Sequence, residues 1–185
     1  MRDDRLSVAL RGAVGFIGGS IIPMLFLTHR NPVYFDLWIF ISGAVGAIVV
    51  LYRRVPTGRV LTSALFFGIG TLTGVSIAFI IPSFSGAPLD TVQGAYYTIG
   101  GFTVGFAAMG AIGGIPLGWR CSGLGAVSFG VGGLLGGAAF SFCFICNHAP
   151  LLAQMFAIGA CLPYVVGGAL FAVFAAPDEK PASER

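Results

Sequence analysis

Charged side chains are scarce in this sequence. Asp, Glu, Lys and Arg make up 9% of its 185 residues, against about a quarter in soluble globular domains. None occurs over residues 121–177, and shorter charge-free blocks run from Val60 to Leu89 and from Thr91 to Trp119. A bilayer's hydrocarbon core is roughly 30 Å thick and needs about 20 apolar residues to cross it as a helix. The longest block therefore suits two helices joined by a tight turn. One transmembrane domain is expected over residues 1–176, followed by a short polar tail, 177–185, expected to be disordered.

Other absences narrow the function. No charge is expected mid-span: Arg11 can snorkel to an interface, Asp36 lies near the outer end of the second helix, and Asp90 and Arg120 fall in loops. Intramembrane charges are costly and mark ion pathways. Their absence argues against a proton-coupled pump, an antiporter of charged substrates or a carboxylate-lined metal transporter. Walker, G-x-S-x-G, H-E-x-x-H and dinucleotide-binding patterns are missing, and the G-x-G strings lie inside spans with no strand before them. The only histidines, His29 and His148, sit in outward loops rather than at matched depth for haem. No cofactor or metal site is expected, and the chain leans away from enzymes. Four cysteines are too few and scattered for a disulfide framework. Arg2, Arg5 and Arg11 precede an apolar run, but it ends in Thr28-His29-Arg30-Asn31-Pro32 without a small-x-small cleavage site. A retained first helix is expected.

What is present divides into six apolar runs. An all-α, six-helix transmembrane bundle is predicted, with helices at Val8–Thr28, Phe35–Tyr52, Val60–Ile81, Gln93–Leu117, Ser122–Ile145 and Leu151–Ala175. Turn formers separate them: Asn31-Pro32, Pro56-Thr57-Gly58, Pro82-Ser83-Phe84-Ser85-Gly86 and Asn147-His148-Ala149-Pro150. Arg2, Arg5, Arg11, Arg53, Arg54, Arg59, Arg120, Lys180 and Arg185 fall on one side of this topology, and Arg30 alone on the other. That bias directs both termini to the cytoplasm, with a bacterial inner membrane the expected location. It also accounts for the net charge of +3 without a nucleic-acid partner.

The 29 glycines suit helices that associate by close backbone approach in lipid. Small-x-x-x-small spacing appears at Gly15 and Gly19, at Gly70, Gly74 and Ala78, and at Gly101 and Gly105. The fifth run carries one stripe with Gly133 and Gly137 and another with Gly132 and Gly136. A helix smooth on two faces is expected at the bundle's centre. Ile41-Ser42-Gly43, Ile99-Gly100-Gly101 and Ile158-Gly159-Ala160 recur about one hairpin apart, as three tandem hairpins would require, although abundant glycine makes such matches easy.

Two sets of residues could carry function. Pro23 and Pro163 interrupt the first and last helices and free backbone carbonyls, with Ser20 and Tyr164 beside them. Broken helices of this kind bind solutes in transporters, although hydroxyls within spans commonly bond their own backbone. Cys143 and Cys146 form a C-x-x-C at the outer end of the fifth helix, where a thiol–disulfide pair could operate. No second pair is available to relay electrons, and cysteine is a common packing residue. The first reading is a small permease or channel-like component for an uncharged or lipid-like solute, working in the lipid bilayer as a homo-oligomer or with other membrane subunits. The others are an accessory subunit of a membrane complex and, more weakly, a thiol oxidoreductase.

Overall fold

Long apolar runs must satisfy their own backbone groups in a lipid environment, which favours helices. All regular structure among the described residues is helical. The computed structural model describes residues 5–26, 32–52, 54–146 and 149–175; side chains are left out at 19–26, 32–35, 38, 146, 149–158, 160 and 175. The helices are α1 (Arg5–Phe26), α2 (Pro32–Leu51), α3 (Thr57–Ser85), α4 (Val92–Gly114), α5 (Trp119–Cys146) and α6 (Ala149–Leu170). A 3-10 turn, Ile115–Leu117, extends α4, and a π turn, Phe171–Ala175, extends α6. Three helical segments, Thr57–Ser85, Val92–Leu117 and Trp119–Ile145, are long and apolar enough to cross a membrane. The expected tail at 177–185 and both histidine loops lie outside the described residues.

Two junctions differ from the sequence expectation. α3 does not stop at Ile81 but runs through Pro82 to Ser85, where Gly86 ends it at φ 67°. Proline costs a helix one hydrogen bond, here the one to the Ala78 carbonyl. That oxygen instead faces Gly101 of α4, where an added Cβ would stand only 2.8 Å away. The α4–α5 connection is also tighter than expected. Gly118, at φ 107°, reverses the chain, and α5 begins at Trp119 rather than Ser122.

Each helix packs against its neighbours in sequence, and α6 returns to α1, closing an antiparallel ring. Glycine sets the spacing round it. A Cβ on Gly74 would lie 2.5 Å from the Gly105 carbonyl oxygen. One on Gly125 would meet the Gly110 oxygen at 2.5 Å, one on Gly132 the Pro163 oxygen at 2.6 Å, and one on Gly168 the Gly12 oxygen at 2.7 Å. Real side chains do not tolerate such approaches, so these backbones pass closer than alanine would permit. Among the recurrent positions, Gly43 faces the helix after its own, whereas Gly101 and Gly159 face the helix before.

The middle of the ring holds phenylalanine rings rather than a helix. Phe16 of α1, Phe67 of α3, Phe129 of α5 and Phe171 after α6 are all fully buried. Their contacts include Phe16–Phe67 at 5.5 Å, Phe16–Phe129 at 5.0 Å and Phe67–Phe171 at 5.0 Å between centroids, within the favourable range for aromatic pairs. The Phe16 ring rests on Gly46 and Gly168, Phe67 on Gly113, and Phe129 on Gly167. Glycines of the even helices thus make room for rings of the odd ones. α5 does lie between two neighbours, yet it is not central, because Val127, Val131, Leu134 and Phe142 are exposed on its outer face. Trp119 and Tyr52 stand exposed at one end of the bundle, Phe84 and Tyr96 at the other, the separation expected of interfacial aromatic residues.

Candidate functional site

An open space among the described residues lies where α3 ends and α4 begins. Thr91 caps α4, its Oγ1 accepting from the Gly94 N–H at 3.0 Å, a typical N-cap arrangement. Gly86 breaks α3 at a left-handed position that glycine adopts without strain. Between these two helix ends and α5 is a cavity of about 320 Å³, within the size range of small-molecule sites. Phe79, Phe102 and Phe140 form its wall, with centroids 5.4–6.5 Å apart. Phe79 and Leu89 are exposed at its mouth, while Thr98 and Pro82 are buried within it.

Its few polar groups are already committed. Thr98 Oγ1 donates to the Gly94 carbonyl at 2.9 Å, and Ser83 Oγ donates to Phe79 at 2.7 Å. The same habit extends along α3 and α4, with Thr71 donating to the Phe67 carbonyl, Thr73 to that of Ile69 and Thr103 to that of Ile99. A hydroxyl that donates to its own helix retains only acceptor capacity. These helices therefore offer little to a solute needing several hydrogen bonds, whereas the cavity's aromatic wall suits an apolar one. No family model, curated protein or solved structure matches the chain.

Of the residues singled out from sequence, Pro163, Tyr164 and Cys143 have described side chains. Pro163 is buried against Gly136, where a Cβ would meet its Cγ at 2.6 Å and the Gly159 oxygen at 2.8 Å. Gly159 is the residue whose carbonyl Pro163 leaves without a helical donor. That carbonyl is thus enclosed between α5 and α6. Tyr164 is buried in the core, edge-on to Phe106 at 5.3 Å. Ser20 and Pro23 lie within α1, their side chains outside the described residues. Cys143 is buried, its thiol donating to the Ala139 carbonyl at 2.9 Å; the Cys146 side chain is outside the described residues.

Among the glycines, Gly15 faces Val49, Gly70 faces Met109, and Gly133 and Gly137 face α4 around Phe102 and Ile99. The Gly19 side is outside the described residues. Sequence reasoning missed the cavity because it read Pro82 as the start of a loop. The available signal was Thr91, a strong cap residue three positions before Gly94, which marks where α4 begins.

Proposed function

We propose that this chain is a six-span, non-enzymatic membrane protein, with both termini cytoplasmic, that takes up an uncharged, lipid-like molecule in the cavity between α3, α4 and α5. The observation carrying this reading is the aromatic cavity of about 320 Å³ whose hydroxyls are engaged by their own helix. Such a site can bury an apolar chain or ring without leaving a donor unpaired, and it offers no counter-charge to an ion. The permease acts at its surface-opening cavity rather than along the ring's axis, where Phe16, Phe67, Phe129 and Phe171 meet.

The test is crosslinking by a photoreactive diacylglycerol in proteoliposomes. Labelling is expected on the segment around Phe79 or Phe140 and should drop when Ala87→Phe fills the cavity. Labelling spread evenly over all helices, unchanged in that variant, would count against the site. The axial aromatic plug favours a second reading, an accessory subunit within a membrane complex. That reading expects a stable complex with other membrane chains after mild detergent extraction.

A further inference from the structure

Two polar side chains line the aromatic cavity, Thr98 buried and Ser83 exposed. Thr98 lies six residues into α4, Phe79 six before the end of α3, and Phe140 six before the end of α5. At about 1.5 Å per residue, all three stand about 9 Å in from the helix ends. The buried hydroxyl and two rings of the wall therefore share one level. The Thr98 proton is engaged by the Gly94 carbonyl at 2.9 Å, and that of Ser83 by the Phe79 carbonyl at 2.7 Å. The Ala87 N–H is taken by Ser85 Oγ at 3.2 Å. What Thr98 retains is acceptor capacity.

We propose that the cavity selects an uncharged alcohol, whose hydroxyl donates to Thr98 Oγ1 while its apolar body lies against Phe79, Phe102 and Phe140. The inference rests on the reading of this cavity as a site for a lipid-like molecule, and names the functional group recognised there. An alcohol adds a hydrogen bond without breaking one. A ketone or an ether has no proton to give. It pairs with Thr98 only by drawing the hydroxyl proton away from Gly94, which exchanges one bond for another. An amine is charged near neutral pH, and among the described residues lining the cavity none is acidic; burying such a charge unpaired is prohibitive. Size narrows the class further. A water molecule's share of the liquid is about 30 Å³, so a cavity of about 320 Å³ has room for roughly ten non-hydrogen atoms. That is a medium-chain or monocyclic alcohol. The remainder of a longer lipid alcohol lies outside, past Phe79 and Leu89, which are exposed at the mouth.

The experiment uses the full chain in phosphatidylcholine proteoliposomes. Decanol, decyl methyl ether and methyl octyl ketone compete with labelling by the photoreactive diacylglycerol, and their concentrations are measured in the membrane phase. Decanol should suppress labelling around Phe79 and Phe140 about fivefold more potently than the ether or the ketone, the worth of one hydrogen bond. Thr98→Val, which removes the acceptor at nearly constant volume, should erase that preference and leave the ether's potency unchanged. Thr98→Ser should keep it. Equal potency of the three compounds on the wild type, or a preference that survives in Thr98→Val, overturns hydroxyl recognition and leaves the cavity reading standing. Labelling spread evenly over all helices, with no compound competing, overturns the cavity reading and this inference together. If Thr98→Val does not fold, the wild-type comparison of alcohol, ether and ketone decides.

Discussion

The Pro163 ring of α6 lies directly against Gly136 of α5, leaving no room for a side chain at that glycine. Pro82 of α3 and Gly101 of α4 repeat the arrangement, with the proline Cδ 3.0 Å from where a Cβ would be. In both pairs the carbonyl four residues before the proline faces the glycine of the neighbouring helix. Glycine Cα–H groups make weak hydrogen bonds to carbonyl oxygen, so each proline defect is covered by a partner helix.

Replacing either glycine should therefore cost more than an ordinary change to alanine. Gly136→Ala and Gly101→Ala are expected to destabilise the fold by about 1–3 kcal/mol through overpacking. Gly123→Ala, with open space around it, should be neutral or slightly stabilising, since alanine is the better helix former. Thermal unfolding in detergent distinguishes the two classes; equal effects at Gly136 and Gly123 would contradict the packing described.

Phe67 contacts Phe16, Phe129 and Phe171 in the middle of the ring. Phe67→Ala should cost roughly 3–5 kcal/mol by leaving a cavity. Phe84→Ala, at an exposed position, should have little effect on stability. Planar-bilayer recordings of the unmodified protein should show no steady ion conductance through the axis.

Ser63 Oγ is buried without a hydrogen-bond partner among the described residues. A buried, unsatisfied hydroxyl carries a desolvation penalty of about 1–3 kcal/mol. Ser63→Ala is accordingly expected to raise the unfolding temperature. A clear drop instead would mean that an internal water serves the hydroxyl.

The hydrogen bond from Arg54 to Ala172 ties the α2–α3 connection to the end of α6 across 118 positions of sequence. Arg54→Gln should loosen the π turn, costing about 1 kcal/mol after allowance for solvent exposure. Hydrogen exchange should accelerate in the segment 168–175 but not in the middle of α3. Uniform acceleration would instead indicate a global loss of stability.

Cys143 is enclosed between helices, whereas Cys121 is half-exposed. A membrane-permeant maleimide should modify Cys121 first, with Cys143 reacting only on unfolding. Rapid labelling of Cys143 in the folded protein would instead favour a role in thiol exchange.

Most helix positions were legible because lipid-compatible segments announce themselves by their lack of charge. The runs between Val60 and Leu117 needed little more than turn residues to delimit them. Pro82 misled because proline signals a helix end in isolation, while its defect here is covered by Gly101 from another helix. The glycine pattern of α5 was visible, but two small faces fit a ring member flanked by neighbours as well as a central helix. Distinguishing those cases required knowing that Phe16, Phe67 and Phe129 fill the middle. The aromatic cavity was illegible for the same reason: Phe79, Phe102 and Phe140 come from three helices and meet only once these are packed.

By itself, then, the sequence determined the helical class and the approximate limits of the helices, since both follow from local apolarity and backbone hydrogen bonding. Ring closure, the aromatic axis, the covering of proline defects and the pairing of Arg54 with Ala172 were decided only by tertiary structure. They depend on which side chains meet across helix interfaces, and contacts between residues far apart in sequence leave no periodic signal along the chain.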